Sequence, residues 1–97
     1  MKKKLSKSVA VTKLETEAGS RLREIRQGRG LTMRDVQAES RSIAQEHGRR
    51  GFEMAPSRLH MLERGLSVPS LFRLYSLSAI YGISVRELFS LYGLNLS

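Results

Sequence analysis

The side chains in this sequence that could do chemistry are mostly cations. Seventeen Lys and Arg stand against nine Asp and Glu, a net charge of +8 with a pI near 10.6. Arg49-Arg50 lies between Gly48 and Gly51, and Ser57-Arg58-Leu59-His60-Met61-Leu62-Glu63-Arg64 puts two arginines and a histidine on one short segment. Guanidinium groups carry planar N–H donors that match phosphate oxygens and the guanine edge. The chemistry implied is non-covalent capture of a polyanion, nucleic acid first and an anionic membrane surface second. Covalent chemistry has no support. Glu63 has no paired acid and no nucleophile–base arrangement beside it, and Gly28-Arg29-Gly30 is too short for a dinucleotide-binding turn. There is no cysteine, hence no disulfide and no thiolate metal site. His47 and His60 are too few and too isolated for zinc. No catalytic residue, no metal and no cofactor is expected.

Helices must position these cations, because alternating patterns are missing and the apolar residues recur at helical spacing. Residues 1–15, with Lys2, Lys3, Lys4, Lys7 and Lys13, read as a basic flexible arm able to add phosphate contacts. A first helix is expected from about Thr16 to Gln27, with Ala18, Leu22 and Ile25 on one face and Gly28 and Gly30 as its stop. Thr32 caps a second helix, with Asp35 three residues on and Leu31 stapled to Val36. Its periodicity continues as far as Glu46 or His47, ending at Gly48. Gly48–Glu53 reads as a loop by composition. Met54–Arg64 reads as a short third helix, with Pro56 suited to its first position. Leu59 and Leu62 face inward, leaving Ser57, Arg58, His60 and Met61 on the surface. A fourth helix begins at Ser70 and ends at Gly82, burying Leu71, Leu74, Leu77 and Ile80 or Tyr81. The fifth opens with a Ser84–Glu87 capping box and an Ile83–Leu88 staple. Five helices in 97 residues make one all-α domain.

No apolar run approaches the roughly 20 residues needed to span a bilayer. Leu5–Leu14 is broken by polar residues, so the lysine-rich start is not a signal peptide. A cytoplasmic, nucleoid-associated protein without membrane partners is expected. At the other end Phe89, Tyr92, Leu94 and Leu96 make the C-terminus unusually apolar. Such a surface suits a partner: a second copy of the chain as a homodimer, a protein partner, or an effector domain beyond residue 97.

Gly30-Leu31-Thr32 opening the second helix, Glu63-Arg64-Gly65 closing the third, Pro69-Ser70-Leu71, and Tyr81-Gly82-Ile83-Ser84-Val85-Arg86-Glu87-Leu88 together resemble the lambda-repressor/Cro-like (XRE-type) helix-turn-helix family, over about Gly19 to Tyr92. The resemblance implies a five-helix domain, here residues 16–97, that binds double-stranded operator DNA as a two-fold dimer, usually as a transcriptional repressor. It implies a recognition helix in the major groove with Ser57, Arg58, His60 and Met61 facing bases. It also implies that Arg26 pairs with Glu63 and is turned towards the DNA backbone. Arg34 and Arg64 would touch phosphate, and Arg49 and Arg50 are placed there by their loop. Two features depart from the family. About a dozen extra residues, roughly 41–53, separate helices two and three, and are expected to form an extended second helix and a loop bulging away from the core. Met33 stands where the family often has a phosphate-bridging Gln. Met33, Pro56 and Met61 favour a rival reading: an antitoxin or adaptor-type protein-interaction module with weak DNA readout.

Overall fold

The computed structural model describes residues 2–95, with side chains from residue 13 onwards. The elements are α1 (Lys2–Gly28), α2 (Met33–His47), a 3-10 turn (Arg50–Phe52), α3 (Pro56–Glu63), α4 (Leu71–Tyr81) and α5 (Val85–Leu91). The fold is all-α, with no strand among the described residues. No helix of the described residues is long and apolar enough to cross a membrane.

Local chemistry explains the element ends. Thr32 Oγ1 accepts the Asp35 N–H at 3.0 Å while the Asp35 carboxylate accepts the Thr32 N–H at 2.9 Å, so two unpaired donors of the first turn of α2 are satisfied reciprocally. That backbone hydrogen bond holds the Asp35 carboxyl below the usual aspartate range. A depressed carboxyl stabilises the fold above its ordinary pKa of about 3.9, and the contribution fades as the pH falls through the folded value. Gly48 ends α2 in the left-handed conformation, which favours glycine. Ser84 and Glu87 repeat the reciprocal cap at α5. Ala55 offers α3 no side-chain cap, and Pro56 at the first position removes one of the donors that would need one.

The core is one cluster to which every helix contributes: Leu22, Val36, Leu59, Leu62, Leu74, Leu77, Tyr81 and Leu88, with Met54 from the segment before α3. Glycine lets α1 come close to α3. A Cβ on Gly19 would overlap the carbonyl oxygens of Leu62 and Glu63, so the backbones touch where α1 crosses the end of α3. At Gly65 the turn after α3 packs against the Thr16 backbone with φ +75°, a conformation that favours glycine in its own right.

Three expectations are corrected. First, α1 begins at Lys2 and not near Thr16. No Gly or Pro interrupts residues 2–18 and good helix formers are frequent there, whereas apolar periodicity starts only at Ala18. The side chains of residues 1–12, on which the phosphate contacts of a basic arm depend, lie outside the described residues. Second, Leu71 is 72% exposed. As the first residue of α4 it falls short of the core, and Ser76 is buried on this helix instead. Third, the extra residues between α2 and α3 do not bulge away from the core: Gly48–Glu53 contains a 3-10 turn whose Phe52 is buried against neighbouring helices.

Gly19→Ala is expected to lower stability by about 1–3 kcal/mol through backbone overlap. Gly28→Ala, in the same helix with open space around it, should be neutral or stabilising by up to about 1 kcal/mol. Thermal melts of the two variants read the opposite signs directly.

Candidate nucleic-acid interface

The site is organised by a buried ion pair. Arg26 Nε donates to Glu63 Oε2 at 2.7 Å and Nη2 donates to Oε1 at 3.0 Å, while Nη1 donates to the Leu31 carbonyl at 2.9 Å. One guanidinium thus ties the last turn of α1 to the last residue of α3 and to the residue that precedes the cap of α2. Both partners are buried. The hydrogen bonds to Glu63 hold the guanidinium above its usual pKa, against the desolvation that burial imposes. Tyr81 lies close enough to sense both charges, yet burial dominates and pushes its phenol well above the ordinary range. Arg29, just past α1, adds a second tie, its Nε donating to the Tyr81 carbonyl at 2.9 Å.

Around this pair the structure gathers a basic cleft of about 270 Å³, lined by Arg23, Arg26, Met33, His60, Glu63 and Arg64. Glu63 is neutralised by Arg26, so the excess charge in the cleft is positive. Its wall at Met33 is the first turn of α2, where unpaired N–H groups and the helix dipole favour an anion. Arg34 is exposed in the same turn but does not line the cleft.

On α3, Leu59, Leu62 and Glu63 point inward, and Ser57, Arg58, His60, Met61 and Arg64 are exposed. The first four are the surface that helical spacing places outside the core, and Arg64 is the C-cap just past the helix. Ser57, Arg58 and Met61 line a shallow depression of about 300 Å³ with Ala55 and Ser67. The Ser67 hydroxyl in it is buried and has no hydrogen-bond partner among the described residues. His60 belongs to the basic cleft, so one helix serves both.

Arg49 and Arg50 lie in a third place, a cleft of about 310 Å³ that they share with Arg41 and Glu53. The expected partner surface is distinct again. Phe89 and Tyr92 are half-buried and Leu94 is 54% exposed; all three line an apolar groove of about 500 Å³ with Leu14, Val68 and Leu71. The Tyr92 hydroxyl is buried without a hydrogen-bond partner among the described residues, and burial, with Glu15 nearby, pushes its pKa up to about 12. Leu96, the fourth member expected there, lies outside the described residues.

Sequence reasoning missed Arg23, Ser67 and Arg73. Arg23 sits three residues before Arg26, on the neighbouring strip of the same helix, and that spacing was a usable signal. Nothing in the sequence marks Ser67. Arg73 is placed by the insertion, whose path was not readable.

No family model matches the chain, and no solved structure matches it. Among curated proteins it is similar to the HTH-type transcriptional regulator DdrOP3 of Deinococcus deserti, 38% identical over 68 residues. The match covers 70% of this chain and 43% of that protein, so the chain spans less than half the length of this relative.

Removing one partner of a buried ion pair strands the other charge. Glu63→Ala is expected to lower stability by about 3–5 kcal/mol. The apolar double variant Arg26→Met/Glu63→Leu should recover most of it, to within about 2 kcal/mol of the parent. Equilibrium urea unfolding of the two variants compares them; a double variant no more stable than the single one would show that the stranded Arg26 charge is not what destabilises Glu63→Ala.

Proposed function

We propose that this chain is a helix-turn-helix domain that binds double-stranded DNA with sequence preference, as the DNA-binding part of a transcriptional regulator of the lambda-repressor-like type. The observation that carries the reading is the exposed face of α3, set beside a basic cleft that ends at the first turn of α2. Its similarity to a protein named as a transcriptional regulator supports the same conclusion. In this reading α3 enters the major groove, with Arg58 and His60 as donors for guanine and Ser57 and Met61 packing against neighbouring edges. Arg34 and Arg64 hold phosphate. Arg26 acts chiefly through its pairing, keeping α1, α2 and α3 in register at the cleft where a phosphate sits. In the proposed reading the domain acts without catalysis, as a cytoplasmic, nucleoid-associated repressor that occludes promoters.

A two-fold dimer completes the proposal, since operator symmetry mirrors protein symmetry. The apolar groove lined by Phe89, Tyr92 and Leu94 is the surface assigned to the second copy. One specific observation favours the rival reading as an antitoxin or adaptor module: the groove is lined mainly by apolar side chains, while Ala55 and Met61 take up part of the depression on α3 without offering donors to a base.

Binding measured on matched and mismatched duplexes separates roles. Arg58→Ala should relax preference at one position, at a cost of about 1–3 kcal/mol on the matched site. Arg34→Ala should weaken all sequences about equally and reduce the salt slope by about one. Uniform losses in both would remove α3 from base reading.

A further inference from the structure

The extra residues between α2 and α3 are rigidly built. The Met54 N–H donates to Ser40 Oγ of α2 at 2.7 Å, and the Phe52 carbonyl accepts from Ser76 Oγ of α4 at 2.6 Å. The Glu53 carbonyl accepts from Arg73 Nε of α4 at 2.9 Å, and its carboxylate accepts from Arg41 Nη2 of α2 at 3.1 Å. Three consecutive residues are thus pinned by helices on both sides. Phe52 anchors the turn among aromatic rings, stacking on His47 at 4.7 Å and meeting Phe72 edge-on at 5.1 Å. Arg49 lies over the Phe72 ring at 4.5 Å, which fixes its guanidinium by a cation–π contact.

This segment is strongly basic. Arg41, Arg49 and Arg50 line its cleft against one carboxylate, Glu53, already engaged by Arg41. Arg73, near the start of α4, stands beside the pinned turn because its Nε donates to the Glu53 carbonyl; burial, and then the charge of Arg58, lower its pKa, while Glu53 opposes them. Of its guanidinium nitrogens, Nε alone has a hydrogen-bond partner among the described residues, leaving terminal N–H groups for a ligand.

We propose that the 3-10 turn and the start of α4 form a second phosphate-holding surface, with Arg49, Arg50 and Arg73 gripping the DNA backbone beside the groove that α3 enters. This rests on the reading of α3 as the DNA-binding helix. The location follows from chain continuity. Residues at the start of a recognition helix approach the base edges, and Arg50 lies six residues before Pro56 on a segment that cannot swing away. The guanidiniums of Arg49, held over Phe72, and of Arg73, held at Nε, lose little freedom on binding. They touch phosphate only, so the surface adds affinity and footprint without changing the preferred sequence.

The test compares the parent chain with Arg49→Ser/Arg50→Ser and with Arg73→Gln on duplexes of random and of selected sequence, by a salt titration and hydroxyl-radical footprinting. The double variant should reduce the magnitude of the salt slope by about two, at roughly 0.9 per phosphate. It should weaken both duplexes by the same factor and lose protection at the backbone positions next to the α3 site. Arg73→Gln should reduce the slope by about one. Arg50→Gln, which leaves the Arg49–Phe72 stack in place, serves as the second variant if either of the others melts early, with an expected reduction of about one. Parent-like slopes and footprints in folded variants would overturn the proposal while leaving the DNA-binding reading intact. A parent chain that binds neither duplex would overturn both.

Discussion

Everything at the candidate interface depends on one buried guanidinium. Arg26 is shared between the Glu63 carboxylate and the Leu31 carbonyl, and so joins α1, the approach to α2 and the end of α3 at a single point. A buried pair of this kind is weak evidence for stability, because desolvation opposes the attraction. Its physical value is registry. Alternative placements of α3 against α1 would leave a charge buried and unpaired, so the angle at which α3 presents its outer face is set by the pair. Gly19 acts in the same place by steric means, admitting the α3 carbonyls to contact distance of the α1 backbone.

From this junction the surface divides into regions of different chemistry. The basic cleft and the outer face of α3 are polar and cationic. The pinned turn before α3 adds Arg49 and Arg50, with Arg73 beside it. On another side, the groove at Tyr92 and Leu94 is apolar. In the proposed account the first two meet one polyanion and the third meets a second copy of the chain, and α1, which lines both the basic cleft and the apolar groove, connects them.

How much of this the sequence reveals can be judged residue by residue. Caps are local chemistry, so Thr32 with Asp35 and Ser84 with Glu87 are readable without a structure, as are the glycine ends at Gly48 and Gly82. The inward Leu59 and Leu62 follow from helical spacing. The start of α1 does not, because residues 2–15 have helix-forming composition without an apolar stripe, and spacing alone draws the boundary too late. Leu71 has the right spacing for the core but sits on the first turn of α4, beyond its reach. The insertion was unreadable for a different reason. Gly48-Arg49-Arg50-Gly51 has the composition of a solvated loop, and only tertiary contacts reveal that Phe52 anchors it and that Arg73 comes to lie beside it. The pairing of Arg26 with Glu63 was expected from family resemblance; no feature of the two residues taken alone would have joined positions 37 apart.

The most direct test is selection of binding sites from a random double-stranded DNA pool by the whole chain, followed by affinity measurement across a salt series. The account predicts enrichment of a single motif, arranged as a two-fold repeat with half-sites about one helical turn apart. Binding with a steep salt slope but no enriched motif would contradict it: the positive charge would then act on DNA without α3 reading sequence.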